Sequence, residues 1–138
     1  MSNLKLLYLM TPPDGGVDVK IGITALEKAD SRLGNYQNSL GPRFTCKWVR
    51  CWVGDGSEIV RLEKVLKRHY KNNIINSGRG HTEWIADIFW TEIEPVVNET
   101  IEGHRFKVKP VEKQFLPLSM KNLNSLRENV LNSLGKET

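Results

Sequence analysis

The chain has 138 residues, of which 39% are hydrophobic and 26% charged, and its formal net charge is +4 at pH 7. This length suits one domain with its own core, and the composition excludes a disordered or fibrous chain. No apolar run approaches the about 18 residues that cross a bilayer, and no secretory leader pattern opens the chain. We therefore expect a cytoplasmic protein without a membrane partner.

The two cysteines and three histidines show no metal-ligand spacing. Cys46 and Cys51 lie five residues apart in one predicted strand, so their side chains point to opposite faces and cannot form a disulfide there. The sequence argues against a structural zinc site and calls for no organic cofactor.

Positive charge is concentrated in one part of the chain. Residues 32–79 contain ten Lys and Arg against three Asp and Glu, a net charge of +7. Residues 83–102 contain six acidic residues and no Lys or Arg. A basic half beside an acidic one suits a polyanionic partner held on one face. Charge alone is equally compatible with ordinary solvated surfaces.

The first predicted structure is an antiparallel hairpin. Leu4 to Met10 is an apolar run, and Val17 to Ile23 alternates with period two, as a strand with one buried face does. The stretch between them is rich in Pro and Gly, which favour turns. We expect the hairpin to place Tyr8 across from Val19 or Lys20.

A helix and a third strand are predicted next. Thr24 and Glu27 have the spacing of a capping box, which predicts a helix running to about Tyr36. Arg32 lies one turn before Tyr36, so the two side chains share a flank of that helix. The aromatic and β-branched residues from Phe44 to Val53 then predict the third strand.

The next predicted helix, from Asp55 to about Tyr70, carries an acid near its apolar side. Its apolar stripe consists of Ile59, Leu62, Leu66 and Tyr70. Glu63 lies at the edge of this stripe, where a carboxylate loses hydration unless a cation compensates it. Two interpretations stay open, an ion pair with a neighbouring Lys or Arg, or a metal-binding carboxylate.

The rest of the chain is predicted more coarsely. We expect a polar loop over Asn72–Gly80, a return to the core at Thr82–Ile85, a helix over Ile88–Thr100 limited by Pro95, an extra strand over Arg105–Lys109, a linker to Pro117 and an amphipathic helix over Ser119–Leu134. The apolar stripe of the last helix must be buried within the chain or in a homodimer. Its outer face, with Lys121 and Arg127, also permits contact with DNA.

Taken in order, several short motifs resemble the GIY-YIG nuclease superfamily, in particular its phage-associated branch. They are Leu7-Tyr8, Lys20-Ile21-Gly22, Arg32 with Tyr36, Leu62-Glu63-Lys64-Val65-Leu66, and Glu83-Trp84-Ile85. The resemblance spans Leu4 to Ile85. Each motif alone is weak, and the ordered set with matching element types is much more specific.

The resemblance implies an α/β (α+β) fold, with a small three-stranded antiparallel sheet flanked by helices and an extra C-terminal helix. Residues 1–90 would form the GIY-YIG-like nuclease domain. Residues 91–138 would form a C-terminal extension packed on the same domain or on a dimer partner.

The implied activity is that of a metal-dependent endonuclease acting on double-stranded DNA in a bacterial or phage-infected cell. The products would carry 5′-phosphate and 3′-hydroxyl ends. The implied catalytic residues are Tyr8, Lys20, Arg32, Tyr36 and Glu63, with Gly22, His69 and Glu83 as auxiliary candidates. Tyr8 would be the general base, Lys20 would favour its phenolate, Arg32 and Tyr36 would bind the phosphate, and Glu63 would hold Mg²⁺ or Mn²⁺.

Basic side chains supply candidate contacts to the DNA backbone. They are Arg43, Lys47, Arg50, Lys64, Lys67, Arg68, Lys71 and Arg79. Lys47 and Arg50 lie on opposite faces of a strand, so only part of the set can face DNA at once.

One departure from the family pattern leaves other functions open. Lys20 stands where the second motif has a tyrosine, either as a tolerated variant or as a sign of lost chemistry. The alternatives are therefore a catalytically inactive DNA-binding protein of the same fold, or an interaction module that docks a basic partner on residues 83–102.

Overall fold

The computed structural model describes residues 4–11, 18–28, 47–76, 83–111 and 120–135. The strands in these ranges are β1 (Leu4–Thr11), β2 (Asp18–Ala25), β3 (Lys47–Asp55), β4 (Ile74–Asn76), β5 (Glu83–Ala86) and β6 (Val108–Pro110). The helices are α1 (Gly56–His69), α2 (Trp90–His104) and α3 (Met120–Gly135), with 3₁₀ turns at Leu26–Lys28 and Lys71–Asn73. None of these helices is both long and apolar enough to cross a membrane.

The strands form one sheet in the order β4-β5-β2-β1-β3-β6, and every neighbouring pair is antiparallel. The predicted α+β class is confirmed, but the expected three-stranded sheet is wrong because the described sheet has six strands. The added strands at the edges have only three or four residues each. Such short strands are held by backbone pairing and leave little side-chain periodicity to recognise.

β1 lies at the centre of the sheet, between β2 and β3. Five consecutive side chains, from Leu6 to Met10, have 0% exposure. A strand that is apolar on both faces must have a packed layer on each side. The sheet is therefore sandwiched between two cores.

The two cores lie on opposite faces of the sheet and draw on alternate residues of β1. We call the first the α1–α2 face; it contains Leu7, Leu9, Val19, Ile21, Trp52, Ile59, Leu62, Leu66, Tyr70, Ile85, Ile93, Val97, Phe106 and Val108. We call the second the α3 face; it contains Leu6, Tyr8, Met10, Leu26, Cys51, Val53, Trp84, Val111, Leu126 and Val130. Residues after 90 thus contribute to both cores.

α1 follows the predicted pattern closely. The apolar stripe of Ile59, Leu62, Leu66 and Tyr70 is buried, and the basic residues in the last turn lie where the helix dipole favours positive charge. The predicted helix between Asp55 and Tyr70 is confirmed.

The predicted helix start at Thr24 is wrong. Thr24 and Ala25 are the last residues of β2, and a 3₁₀ turn begins only at Leu26. The backbone pairing of Thr24 with Leu6 extends the strand past the capping pattern. Residues 29–46 lie outside the described ranges, and the predictions for Arg32, Tyr36 and Arg43 therefore lie outside them too.

The C-terminal predictions are confirmed in kind. α2 begins at Trp90 and runs to His104 rather than Thr100, with Pro95 accommodated inside it. β6 supplies the expected extra strand, and α3 is the expected amphipathic helix. The predicted loop at Asn72–Gly80 is wrong in part, because Ile74–Asn76 forms β4 against β5.

Candidate active site

The two motif residues Tyr8 and Gly22 are direct partners across the β1–β2 hairpin. A Cβ atom on Gly22 would lie 2.3 Å from both Cζ and Oη of Tyr8. The phenol ring therefore lies directly against the β2 backbone, in space that only a glycine leaves open. The tyrosine of the first motif and the glycine of the second form one packed unit.

Lys20 lies on the same face of β2 as Gly22, one pleat away. Its direct partner is Met10, which corrects the expectation that Tyr8 would lie across from Val19 or Lys20. Because side chains alternate along a strand, Tyr8 and Lys20 still share a face as diagonal neighbours, a separation that long side chains can bridge. Lys20 is 8% exposed, an unusual degree of burial for a lysine.

Buried side chains of two further elements lie around Tyr8 in the described part of the chain. Cys51 is its partner on β3, and Leu126 and Val130 of α3 belong to the same buried cluster. Tyr8 has 0% exposure. Burial raises the pKa of the Cys51 thiol from 9.0 to about 12, as expected for an acid in a dry environment.

Glu63 lies on α1, in the layer that covers the α1–α2 face. Its side chain is 17% exposed, and its Oε2 lies 3.6 Å from Nζ of Lys67, one turn along the helix. The ion-pair interpretation of Glu63 is thus realised in this structure. Tyr8 belongs to the α3 face, so Tyr8 and Glu63 are contributed from opposite layers of the fold.

Glu63 belongs to no cluster of metal donors in the described part of the chain. No group of three or more His, Cys, Asp or Glu side chains that could hold a metal ion occurs within the described ranges. Mg²⁺ commonly uses one or two protein carboxylates and keeps several waters. A half-buried Glu63 with one weak ion-pair partner fits such a water-rich site, and it does not fit an all-protein cage.

Several predicted DNA contacts already have partners within the chain. Arg50 donates from Nε to Glu94, and its guanidinium carbon lies 4.5 Å from the centre of the Trp90 ring. Lys67 pairs with Glu63. The exposed candidates in α1 and just after it are Lys64, Arg68 and Lys71, whereas Arg43, Arg79 and the side chain of Lys47 lie outside what the structure describes.

The auxiliary candidates are dispersed. His69 is exposed at the end of α1, with its ring edge-on to Tyr70 at 4.7 Å. Glu83 is the first residue of β5 and pairs with Asn76 of β4; its side chain lies outside the described part. Of the residues singled out from sequence, the structure therefore brings together Tyr8, Lys20 and Gly22.

The sequence prediction did not include the residues that enclose Tyr8. Cys51, Trp84, Leu126 and Val130 share its buried cluster. The period-two pattern of β1 separates Tyr8 from Leu7 and Leu9, and the stripe of the last helix has to be buried. Neither the alternation of β1 nor the apolar stripe of α3 predicts that α3 covers the face that carries Tyr8.

The chain matches no model of a protein family, no functionally characterised protein and no solved structure. Its likeness to GIY-YIG nucleases therefore remains one of short motifs in a given order. The geometry adds the pairing of Tyr8 with Gly22 and the position of Lys20 on the same face.

Proposed function

We propose that this chain is a metal-dependent endonuclease that hydrolyses phosphodiester bonds of double-stranded DNA and leaves 5′-phosphate and 3′-hydroxyl ends. The observation that carries the proposal is the Tyr8 ring packed against Gly22, with Lys20 on the same face. A tyrosine that only fills a core needs no glycine beneath it and no lysine beside it. This unit joins residues that the sequence separates into two motifs.

Tyr8 is the general base of the proposed reaction. An ordinary phenol has a pKa near about 10, so it needs help to accept a proton from water at neutral pH. A positive charge nearby stabilises the phenolate, and Lys20 is the cation on the same face. Arg32 and Tyr36 are proposed to bind the non-bridging phosphate oxygens.

Glu63 is the proposed ligand for Mg²⁺ or Mn²⁺. A bound divalent ion would offset the charge that builds up on the phosphate and assist departure of the 3′ oxygen. For this role Glu63 must exchange its contact with Lys67 for the metal, and the proposal also requires a rearrangement that brings Glu63 and Tyr8, now in opposite layers, to the same phosphate. An ion pair one helical turn apart with a partly exposed lysine is weak, so this exchange costs little.

Catalysis at Tyr8 also requires the α3 face to open. Tyr8 is completely buried in the cluster that contains Leu126 and Val130 of α3. Water and a phosphate can reach the phenol only when that packing loosens. The proposal therefore includes a second, more open arrangement of α3.

A DNA-binding protein without catalytic activity is the second candidate. Two observations favour it: the enclosure of Tyr8, and the position of Glu63 in the opposite layer with Lys67 as its partner. It predicts DNA binding that does not depend on a metal and no cleavage under any condition.

The deciding experiment is cleavage of supercoiled plasmid by the purified chain with Mg²⁺, with Mn²⁺ and with EDTA. Glu63→Gln removes the proposed ligand, and Glu99→Gln on the exposed side of α2 is the matched control. We expect metal-dependent nicking by the native chain and by Glu99→Gln, and a large loss with Glu63→Gln. DNA retardation without nicking by all three proteins would replace our proposal with the second candidate.

A further inference from the structure

We propose that the outer side of α1 and the turn between α2 and β6 together form a docking surface for the phosphate backbone of double-stranded DNA, separate from Tyr8. This outer basic surface consists of Arg61, Lys64 and Arg68 of α1 with His104, Arg105 and Lys107 of the turn. The choice of DNA as the polyanion rests on the proposed function. The existence of the surface rests on charge and geometry.

The α1 part is a stripe of cations directed away from the core. Arg61, Lys64 and Arg68 are three and four residues apart, a spacing that aligns side chains on one side of a helix. All three are exposed, on the side opposite Leu62 and Leu66. No ion pair with a carboxylate involves them in the described part of the chain, because Glu63 lies on another flank and pairs with Lys67.

The turn places an arginine where a helix end usually has glycine. Arg105 follows α2 with φ 55° and ψ 40°, the left-handed region, and its N–H donates to the carbonyl of Glu102 at 3.2 Å. This conformation costs free energy for any residue with a Cβ, and glycine is the usual occupant. Gly103 instead lies within the last helical turn, where an added Cβ would meet nothing within 4 Å.

Keeping a strained arginine at this exposed position is better explained by a role for its side chain than by stability of the turn. Residues held in such conformations are often tied to function. A cation at a projecting helix end can reach a polyanion without displacing any packed group. Arg105 is therefore included in the surface.

Two contacts join the turn to α1, and a third lies within the turn itself. The guanidinium carbon of Arg61 lies 5.6 Å from the centre of the Phe106 ring, and the ring of His104 stacks on Phe106 at 5.0 Å, with 9° between the planes. The backbone N–H of Lys107 donates to Oε2 of Glu58 at 3.1 Å. The cations of the turn and of α1 thus belong to one continuous surface.

The spacing of the stripe suits a duplex backbone. From Arg61 to Arg68 the helix rises about 10 Å, and one DNA strand presents roughly three phosphates over that axial distance. Contacts of this kind supply affinity and orientation without reading sequence. The surface lies on the outer side of α1, whereas Tyr8 is on the α3 face, so these phosphate contacts are separate from the proposed general base.

The test is the salt dependence of binding to a fluorescent DNA duplex in EDTA, measured by anisotropy. Lys64→Gln/Arg68→Gln removes two stripe cations. Lys109→Gln/Arg127→Gln, in β6 and α3, removes the same charge elsewhere. For the stripe variant we expect the slope of log Kobs against log[salt] to fall by about 2, and affinity to fall roughly 10- to 100-fold at about 0.1 M salt. The control should change far less.

Arg105→Gly gives an independent readout. Glycine relieves the left-handed backbone, so we expect Tm to rise while the salt slope falls by about 1. An arginine with a purely structural role would not combine greater stability with weaker DNA binding. Unchanged DNA affinity in Arg105→Gly would remove the turn from the surface.

The outcomes separate this inference from the proposed function. If the native chain nicks plasmid, and the stripe variant binds and cuts DNA as well as the native chain does, the docking surface is overturned and the proposed nuclease activity stands. If the stripe variant binds DNA more weakly and no protein nicks plasmid, the docking surface is supported and the proposed nuclease activity is rejected. A larger loss in the control would place DNA on the α3 side, and preference for an RNA duplex would overturn the choice of DNA.

Discussion

The two faces of the central sheet differ in composition although they share the same strands. On the α1–α2 face, Leu7 and Leu9 of β1 meet the apolar stripes of two helices. On the α3 face, the intervening residue Tyr8 lies beside Cys51, and Leu126 and Val130 of α3 are the described helical residues that cover it. One face is a conventional apolar core. The other includes polar and titratable side chains among its apolar ones.

This difference shows how a small sheet can separate stability from chemistry. Alternate side chains of a strand point to opposite faces, so β1 supplies the main core and the candidate general base at the same time. A register slip of one residue would exchange the two sets. Substitutions on the α3 face should therefore mainly reduce activity, and substitutions on the α1–α2 face should mainly reduce stability.

The largest expected effect is on activity, from removing the hydroxyl group of Tyr8. Tyr8→Phe should reduce plasmid nicking by about 10²- to 10⁴-fold, the usual contribution of a general base, with a stability change of only about 1 kcal/mol. Tyr70→Phe is the matched control, a buried tyrosine on the α1–α2 face. Burial, and then the Glu92 carboxylate, raise the pKa of Tyr70.

The measurements are the initial plasmid nicking rate and the urea unfolding free energy of Tyr8→Phe and of Tyr70→Phe. Equal nicking by the two variants would assign Tyr8 to packing alone and cancel the distinction between the faces.

The next largest expected effect is on the free energy of unfolding, which should fall more for a truncation on the α1–α2 face than for one on the α3 face. Leu66→Ala truncates a side chain with 0% exposure on the α1–α2 face and should cost about 2–5 kcal/mol of global unfolding free energy. Leu126→Ala should fall at the low end of that range, because the proposed opening detaches α3 locally while the sheet stays folded. We also expect Leu126→Ala to increase nicking, since it loosens the cover over Tyr8.

Urea unfolding, with amide hydrogen exchange to resolve local opening, measures both effects. If Leu126→Ala lowered both nicking and global stability as much as Leu66→Ala does, α3 would be an integral part of the core.

Gly22→Ala tests the contact between the two motifs. Its Cβ would lie 2.3 Å from Tyr8 Cζ, so the ring or the strand must shift, at a cost of about 1–3 kcal/mol. Nicking should fall along with stability because Tyr8 is displaced. Gly103→Ala is the control: it has open space and should stabilise α2 by about 0.5–1 kcal/mol. Wild-type nicking by a stable Gly22→Ala protein would show that the ring position does not matter.

The features that follow from periodicity could be predicted from the sequence. The alternation around Lys20 and the stripe of α1 gave the correct elements, and the helical spacing placed Glu63 at the edge of the apolar stripe, within one turn of Lys67. The hairpin register was wrong, since Tyr8 pairs with Gly22. Register depends on the geometry of the connecting turn, which a hydrophobic pattern does not specify.

Features that depend on tertiary packing could not be predicted. β4 is too short for periodicity to identify it reliably, and it lies in what the sequence predicted as a loop. The stripe of α3 required burial, but an apolar stripe carries no information about which face it will cover. The enclosure of Tyr8 and the join between Arg61 and Phe106 are therefore evident only in three dimensions.

The smallest expected effect tests whether the α3 face is dry, through the pH dependence of stability. Burial raises the pKa of Cys51 from 9.0 to about 12, so the folded chain retains a proton that the unfolded chain loses. Its contribution to stability is complete well below pH 9 and declines as pH rises towards 12, with about 1 kcal/mol lost by pH 10. Tyr70 has the same sign, but its ordinary pKa of 10.0 places its effect later.

The measurement is urea unfolding of the native chain and Cys51→Ala at pH 8 and pH 10. The alanine variant lacks the thiol, so it is the reference for the native chain at each pH. The native chain should lose about 1 kcal/mol more than the variant between the two pH values. An equal loss in both would mean that the thiol ionises freely in the folded chain. Water would then already reach the partner of Tyr8 on β3, and nicking would require no opening of α3.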